Sequence, residues 1–186
     1  MPTTETAAVA ASAFIGLWVG HQLGDHPIQR NADMQAKAAP DDFQIAAGTH
    51  PWSGWAACLR HVATYGLAQV ATLALVSLVA PLTLVGALTA LLISTSTHAV
   101  IDRRWIVRAI LRAKQALDWP DGPYHVGEAL HDAMLLVAAV LATIVTTAAE
   151  LAVVSVAGLA LIAGGLAIER VRARSAPTRM GDPTRL

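Results

Sequence analysis

Long stretches without any charged side chain divide this chain into apolar segments. No Asp, Glu, Lys or Arg occurs in 6–24, 61–101, 133–149 or 151–168. A helix that crosses a bilayer needs about 20 mainly apolar residues, so the second stretch is long enough for two spans, separated where Pro81 ends a helix. The pattern predicts an all-α, polytopic membrane helical bundle. Its five spans cover about 6–23, 60–80, 83–104, 129–147 and 151–169, and whether the last two are separate helices stays open.

The composition favours the same class. Apolar residues make up 55% of the chain and charged residues only 14%, with a formal net charge of zero and a single Cys. Soluble domains carry about 25% charged residues. These values exclude a disordered chain, a disulfide-stapled secreted domain and a basic nucleic-acid binder. The expected partner is the lipid bilayer, with no nucleic acid.

The basic residues predict an orientation. The segments 24–59, 103–128 and the tail from 170 contain all Lys and Arg except Arg60, which lies at a boundary. By the positive-inside rule these segments are cytoplasmic, so the N-terminus is outside. We therefore expect a multi-pass protein of the bacterial inner membrane, with a transmembrane domain over 1–174 and a disordered cytoplasmic tail over 175–186. The basic series after the third span is interpreted as a topology-setting face toward anionic headgroups; it comprises Arg103, Arg104, Arg108, Arg112 and Lys114.

Ionisable residues inside the spans fall at one depth. His21, Asp25 and Gln29 follow each other at i, i+4 spacing, which places them on one face of a helix. His98 and Asp102 close the third span with the same spacing. Because such residues are costly in a membrane, they usually face a bundle interior and mark a functional site.

Two further imidazoles open the returning spans, His61 in the second and His131 in the fourth, close to Glu128. Antiparallel packing puts all four imidazoles at the same height, so a four-helix core could bring them to one point. Imidazole nitrogen and carboxylate oxygen are ligands for zinc and related divalent ions. The predicted cofactor is one or two divalent ions, zinc first. The predicted metal ligands are His21, Asp25, His61, His98, Asp102 and His131.

Three residues are predicted to take part in catalysis. Asp25 and Asp102 would act as ligands or as a general base, and Gln29 would orient the substrate or stabilise an oxyanion. Whether Glu128 is also a ligand is left open by the sequence.

These motifs resemble those of a bacterial and phage membrane family called domain of unknown function 3307. The similarity covers His21-x-x-x-Asp25-x-x-x-Gln29, then Lys37 and His61, then His98-x-x-x-Asp102 and finally His131. The chain differs from that family in having His26 after Asp25, and Gly127-Glu128 before His131. The family has no established activity, so the resemblance implies a site without implying a reaction.

Three functions fit these residues. The first is a membrane-embedded metal-dependent hydrolase for an amphiphilic, lipid-like or anionic substrate at headgroup depth, with a homo-oligomer as an open option. The second is a non-enzymatic scaffold or partner protein in which the polar cluster fixes helix packing. The third is a transporter of a metal ion or protons, although the outer halves of the spans carry few polar residues. The sequence identifies neither the metal, the substrate nor the oligomeric state.

Overall fold

Eight α-helices and no strand make up the part of the chain that the structure, a computed structural model, describes, namely residues 3–175. The predicted disordered tail therefore lies, apart from Ser175, outside the described residues. The helices are α1 Thr4–Leu23, α2 Asn31–Ala36, α3 Asp42–Ala46, α4 Trp55–Val76, α5 Leu84–Asp102, α6 Trp105–Ala113, α7 Gly122–Ile144 and α8 Ala148–Ser175.

Five of these helices are long, and they correspond to the five predicted spans. Within residues 3–175, four helical stretches are long and apolar enough to cross a membrane: Thr4–Ile28, Leu84–Asp102, Gly122–Ile144 and Ala148–Ser175. Helix α4, with 22 residues, is as long but more polar, because it carries Arg60, His61 and Gln69. Since α1 and α5 both end beside the same group of histidines, α4 must run back across the bundle between them.

Two helix starts differ from the sequence prediction. Helix α4 begins at Trp55 rather than near 60, directly after Gly54, whose positive φ of 89° suits glycine. Helix α7 begins at Gly122 rather than near 129, because Pro123 occupies its first turn, where the missing N–H is tolerated. Both helices therefore extend about one to two turns further toward the histidine end than expected.

The core is a four-helix bundle. Helix α1 packs against α4 and α7, and α5 packs against the same two helices, so the four form a closed ring, while α8 lies outside it against α5. Gly16 and Gly20 of α1, and Gly24 directly after it, face α4, and a Cβ at Gly20 would lie 2.9 Å from the Cα of Gln69. Small residues at this spacing let helix backbones approach closely in membranes.

The fourth and fifth long helices are separate. Helix α7 ends at Ile144, and Val145 is extended, with φ −78° and ψ 112°. The Glu150 carboxylate then accepts hydrogen bonds from the backbone N–H groups of Thr146 at 2.9 Å and Thr147 at 3.0 Å. These contacts satisfy donors that the start of α8 would otherwise leave free. The sequence left open whether the last two predicted spans are separate helices, and the break after Ile144 with the capped start of α8 shows that they are.

The segment between α1 and α4 folds over the histidine end of the bundle. The backbone N–H of Ala39 donates to the carbonyl of Arg103 at 3.0 Å. On α2, the Asp33 carboxylate accepts two hydrogen bonds from the guanidinium of Arg60, at 2.6 and 3.2 Å. These bonds hold the pKa of Asp33 below its usual value. The segment is therefore fixed to both α4 and α5.

Candidate metal centre

Four helices each contribute one imidazole to a single buried group. His21 comes from the end of α1, His61 from the start of α4, His98 from the end of α5 and His131 from the first half of α7. None of the four is more than 5% exposed. The rings of His98 and His131 stack with centroids 4.2 Å apart, and those of His61 and His98 lie 5.1 Å apart. The buried His/Asp cluster expected from the sequence is present.

The centre of this group is a set of four ligand atoms. His61 Nε2 and His98 Nε2 are 3.0 Å apart. Asp25 Oδ1 lies 3.1 Å from the first and 3.3 Å from the second. Asp102 Oδ2 lies 3.4 and 3.2 Å from the same two atoms. Around an ion with bonds of about 2.0–2.2 Å, tetrahedral ligands are about 3.3–3.6 Å apart. The spacing is therefore close to that of a metal-ligand set.

The proton positions available to these atoms favour the same interpretation. A neutral imidazole has one N–H, and two Nε2–H groups cannot both point into a gap of 3.0 Å. Asp25 Oδ1 and Asp102 Oδ2 are buried and accept no well-formed hydrogen bond from the described residues. Buried carboxylate oxygens without a partner are costly. One donor atom from each of Asp25, His61 and His98 lies within 4.8 Å of the others, so these three residues fit a divalent cation, and Asp102 Oδ2 lies 3.4 and 3.2 Å from the same two nitrogens.

A second set of ligand atoms adjoins the first. His21 Nε2 lies 3.4 Å from Glu128 Oε2, and His21 Nδ1 lies 4.0 Å from Asp25 Oδ2. One donor atom from each of His21, Asp25 and Glu128 lies within 4.8 Å of the others. The same is true of His21, His98 and His131. The structure thus places Glu128, which the sequence left open, among the groups that could hold a metal ion.

Neighbouring side chains fix the orientation of the ligands. The Tyr65 ring stacks on His98 with a centroid distance of 3.9 Å. The Tyr65 hydroxyl is hydrogen-bonded to Ser94 at 2.7 Å and accepts from Gln69 at 2.7 Å. Lys37 is only 4% exposed, and its ammonium contacts Asp102 Oδ1 at 2.8 Å. The other carboxylate oxygen, Oδ2, therefore faces the imidazoles of His61 and His98. Such outer contacts position metal ligands.

Gln29 is placed differently from the prediction. The α-helical spacing that joins His21 to Asp25 does not continue, because Gly24–Ile28 forms a π-helical turn containing Pro27. Gln29 follows this turn in an extended conformation, with φ −60° and ψ 127°. Stacking of Gln29 on the helix face was therefore a wrong expectation. Its side chain still lines the pocket beside the cluster, and its buried Nε2 has no acceptor among the described residues.

A pocket of about 110 Å³ opens on the cluster at this end of the bundle. Its lining includes Asp25, Gln29, Lys37, Asp102, Glu128 and His131. On the far side of the cluster, apolar side chains including Ala13, Leu17, Leu135 and Ala138 close the bundle. Another pocket, lined by Thr3 and Pro81, lies at the opposite end. Tightly packed and mainly apolar side chains thus separate the histidine pocket from the pocket at the opposite end.

The basic series contains one correction. Arg103, expected on a headgroup-facing surface, is completely buried. Its guanidinium donates to Glu169 of α8 at 2.8 and 3.2 Å and to the carbonyls of Lys37 and Ser53 at 2.8 and 2.7 Å. Glu169 also accepts a hydrogen bond from the Trp55 indole at 2.8 Å. Arg103 therefore joins α5, α8 and the connecting segment, which no local sequence pattern indicates.

Searches against protein-family models, curated proteins and solved structures find no match to this chain. Similarity to the family called domain of unknown function 3307 is carried by motif spacing alone and stays a prediction. The site therefore has to be interpreted from its own geometry. It comprises a buried His/Asp/Glu cluster that could hold a metal ion, within a bundle whose apolar helices fit a lipid bilayer.

Proposed function

We propose that this protein is a membrane-embedded hydrolase that depends on a divalent metal ion, zinc first. The observation that carries the proposal is the contact of His61 Nε2 and His98 Nε2 with Asp25 Oδ1 and Asp102 Oδ2 at 3.1–3.4 Å. A divalent ion bound there supplies two kinds of chemistry: it lowers the pKa of water toward neutrality, and it polarises an ester or phosphoester oxygen.

The chain's own residues suit the remaining steps. Asp25 and Asp102 serve as ligands in this arrangement, since each presents one oxygen to both imidazoles. His131 lines the pocket, and its Nε2 lies 3.8 Å from Asp102 Oδ1. A carboxylate at this distance would stabilise the charged imidazole that forms when His131 accepts the proton of water. The Nε2 of Gln29, which has no acceptor within the described part of the chain, can donate to an oxygen that becomes negative during the reaction.

The position of the pocket supports an amphiphilic substrate. It lies at one end of apolar helices, beside the exposed Arg104. A pocket at this depth is accessible to an amphiphile whose headgroup carries the scissile bond. We place this end on the cytoplasmic side of a bacterial inner membrane, because the basic residues of the connecting segments lie there.

The two other functions are less well supported. A transporter needs a polar path to the opposite face, whereas packed side chains that are mainly apolar, including Ala13, Leu17, Leu135 and Ala138, lie between the two ends. A scaffold role gives no reason to bury carboxylate oxygens that lack hydrogen bonds, yet Asp25 Oδ1 and Asp102 Oδ2 accept none from residues 3–175. A purely structural polar network would gain by satisfying them.

The hydrolase proposal is tested on the full chain in lipid nanodiscs, stripped with EDTA and reloaded with Zn²⁺ or Mn²⁺. Product release from lipid esters and phosphoesters is expected only after reloading. Replacing a residue that only positions a metal ligand typically lowers metal affinity or activity by about 10- to 100-fold. Because His98 is itself a proposed ligand, His98→Ala is expected to lower the rate by at least about 100-fold. His125→Ala, a histidine on the first turn of α7 that stacks on Trp119, is the matched control and should retain the activity.

Each alternative gives a different result. Loss of thermal stability in His98→Ala without any loss of bound metal would favour the scaffold. Zinc or proton uptake into proteoliposomes that His61→Ala abolishes would favour the transporter. Metal-loaded protein that cleaves none of these esters would contradict the hydrolase.

A further inference from the structure

The two oxygens of Asp25 face different imidazoles. Oδ1 lies 3.1 Å from His61 Nε2 and 3.3 Å from His98 Nε2, whereas Oδ2 is directed toward His21, 4.0 Å from its Nδ1. A carboxylate that lies in this way between a pair of imidazoles and a third imidazole is placed to bridge two ions. In two-metal sites the ions lie about 3.5–4 Å apart, a distance that a carboxylate can join.

The side of Asp25 that faces His21 has a donor set of its own. His21 is completely buried, and its Nε2 lies 3.4 Å from Glu128 Oε2. Glu128 reaches the group from α7, where its side chain is 22% exposed and lines the pocket. His21, Asp25 and Glu128 together bring one nitrogen and two carboxylates within 4.8 Å of one another. This set shares only Asp25 with the set around His61 and His98.

We propose that the protein has a dinuclear centre, in which a second divalent ion binds His21, Asp25 and Glu128 and Asp25 bridges the two ions. This inference rests on the proposed function, because the first ion is the one held by His61, His98, Asp25 and Asp102. Two carboxylates and one imidazole form a harder donor set than the two imidazoles and two carboxylates of the first position. Such oxygen-rich sites suit Mn²⁺ as well as zinc.

The second position also differs in access. Lys37 binds Asp102 beside the first position, whereas within the described residues no ammonium or guanidinium contacts Asp25 or Glu128. The Glu128 side chain is also more exposed in the pocket than that of Asp102, at 22% against 6%, so an ion held by His21 and Glu128 would be the more accessible one. A substrate that enters the pocket would reach this ion first, and its anionic group would bind there.

The test uses the full chain in detergent, stripped and then reloaded with Mn²⁺. Elemental analysis is expected to give about two equivalents for the wild type, as in carboxylate-bridged two-metal sites. Glu128→Gln, which keeps the side-chain size and removes the charge, should retain about one equivalent. Glu5→Gln, the same change on an exposed residue at the other end of the bundle, is the control and should retain both.

Electron paramagnetic resonance gives a readout that does not depend on activity. Two Mn²⁺ ions at bridging distance couple magnetically, so the loaded wild type should lack the hyperfine pattern of isolated Mn²⁺, and Glu128→Gln should restore it. Circular dichroism checks that the variant keeps its helices.

The possible results separate this inference from the proposed function. One equivalent in the wild type, unaltered by Glu128→Gln, would overturn the dinuclear centre and leave the mononuclear hydrolase standing. Two uncoupled ions that Glu128→Gln does not remove would also overturn it. A wild type that binds no metal after reloading would overturn both.

Discussion

Glu169→Ala is expected to lower the free energy of unfolding by about 3–5 kcal/mol. In the wild type, the fully buried guanidinium of Arg103 lies 2.8 Å from the Glu169 carboxylate, and the substitution removes this partner. It also removes the acceptor of the Trp55 indole N–H. Breaking a buried ion pair from one side is costly, because the remaining charge stays out of water. Reversible unfolding in mixed micelles with increasing SDS measures the change.

A double variant, Arg103→Met with Glu169→Leu, separates the lost partner from lost packing. Replacing both members of a buried pair by apolar residues is often neutral or stabilising, so most of the lost stability should return. A loss below about 1 kcal/mol for Glu169→Ala, the value typical of an exposed pair, would contradict the buried clamp.

Gly86→Ala is expected to lower the free energy of unfolding by about 1–3 kcal/mol, as is typical when an extra atom is inserted into a well-packed core. Gly86 of α5 faces α7 so closely that a Cβ would collide with the carbonyl oxygen of Ala142. Backbone cannot move aside as a flexible side chain can, so the two helices must separate. The same SDS titration measures the effect.

Gly164→Ala is the matched control for this contact. Among the described residues, a Cβ at Gly164 of α8 meets no atom within 4 Å, so the same change there should leave stability unaltered or slightly raised. Equal losses at the two glycines would show that the contact between α5 and α7 is not close.

The bundle and the height of the histidines could be predicted from the sequence, and for a definite reason. Charge-free stretches of span length define the helices, and residues at the ends of antiparallel helices reach the same depth. His21 and His98 lie in the last turns of two helices, and His61 and His131 lie in the first halves of two others. The common depth of the four histidines can therefore be predicted from the helix lengths and from the alternating direction of successive helices.

The parts that sequence could not predict depend on contacts between distant residues or on a local irregularity. Arg103 is buried because Glu169, 66 residues later, reaches it from α8. Lys37 meets Asp102 from a connecting segment without a periodic pattern. Gln29 leaves the expected face because the π-helical turn at Gly24–Ile28 changes the helical phase. Pro27 lies in this turn, and a proline disturbs a regular helix. Its presence in the sequence does not, however, define the π-helical geometry that results.

The central claim is that His61, His98, Asp25 and Asp102 bind a divalent metal ion. Its most direct test is elemental analysis of the detergent-purified full chain after loading with Zn²⁺ and removal of free metal, beside His98→Ala and His125→Ala. The structure predicts at least about one bound equivalent in the wild type and in His125→Ala, and a clear loss in His98→Ala, because metal affinity falls when a ligand is removed. A wild type without bound metal, or a metal content that His98→Ala leaves unaltered, would contradict it.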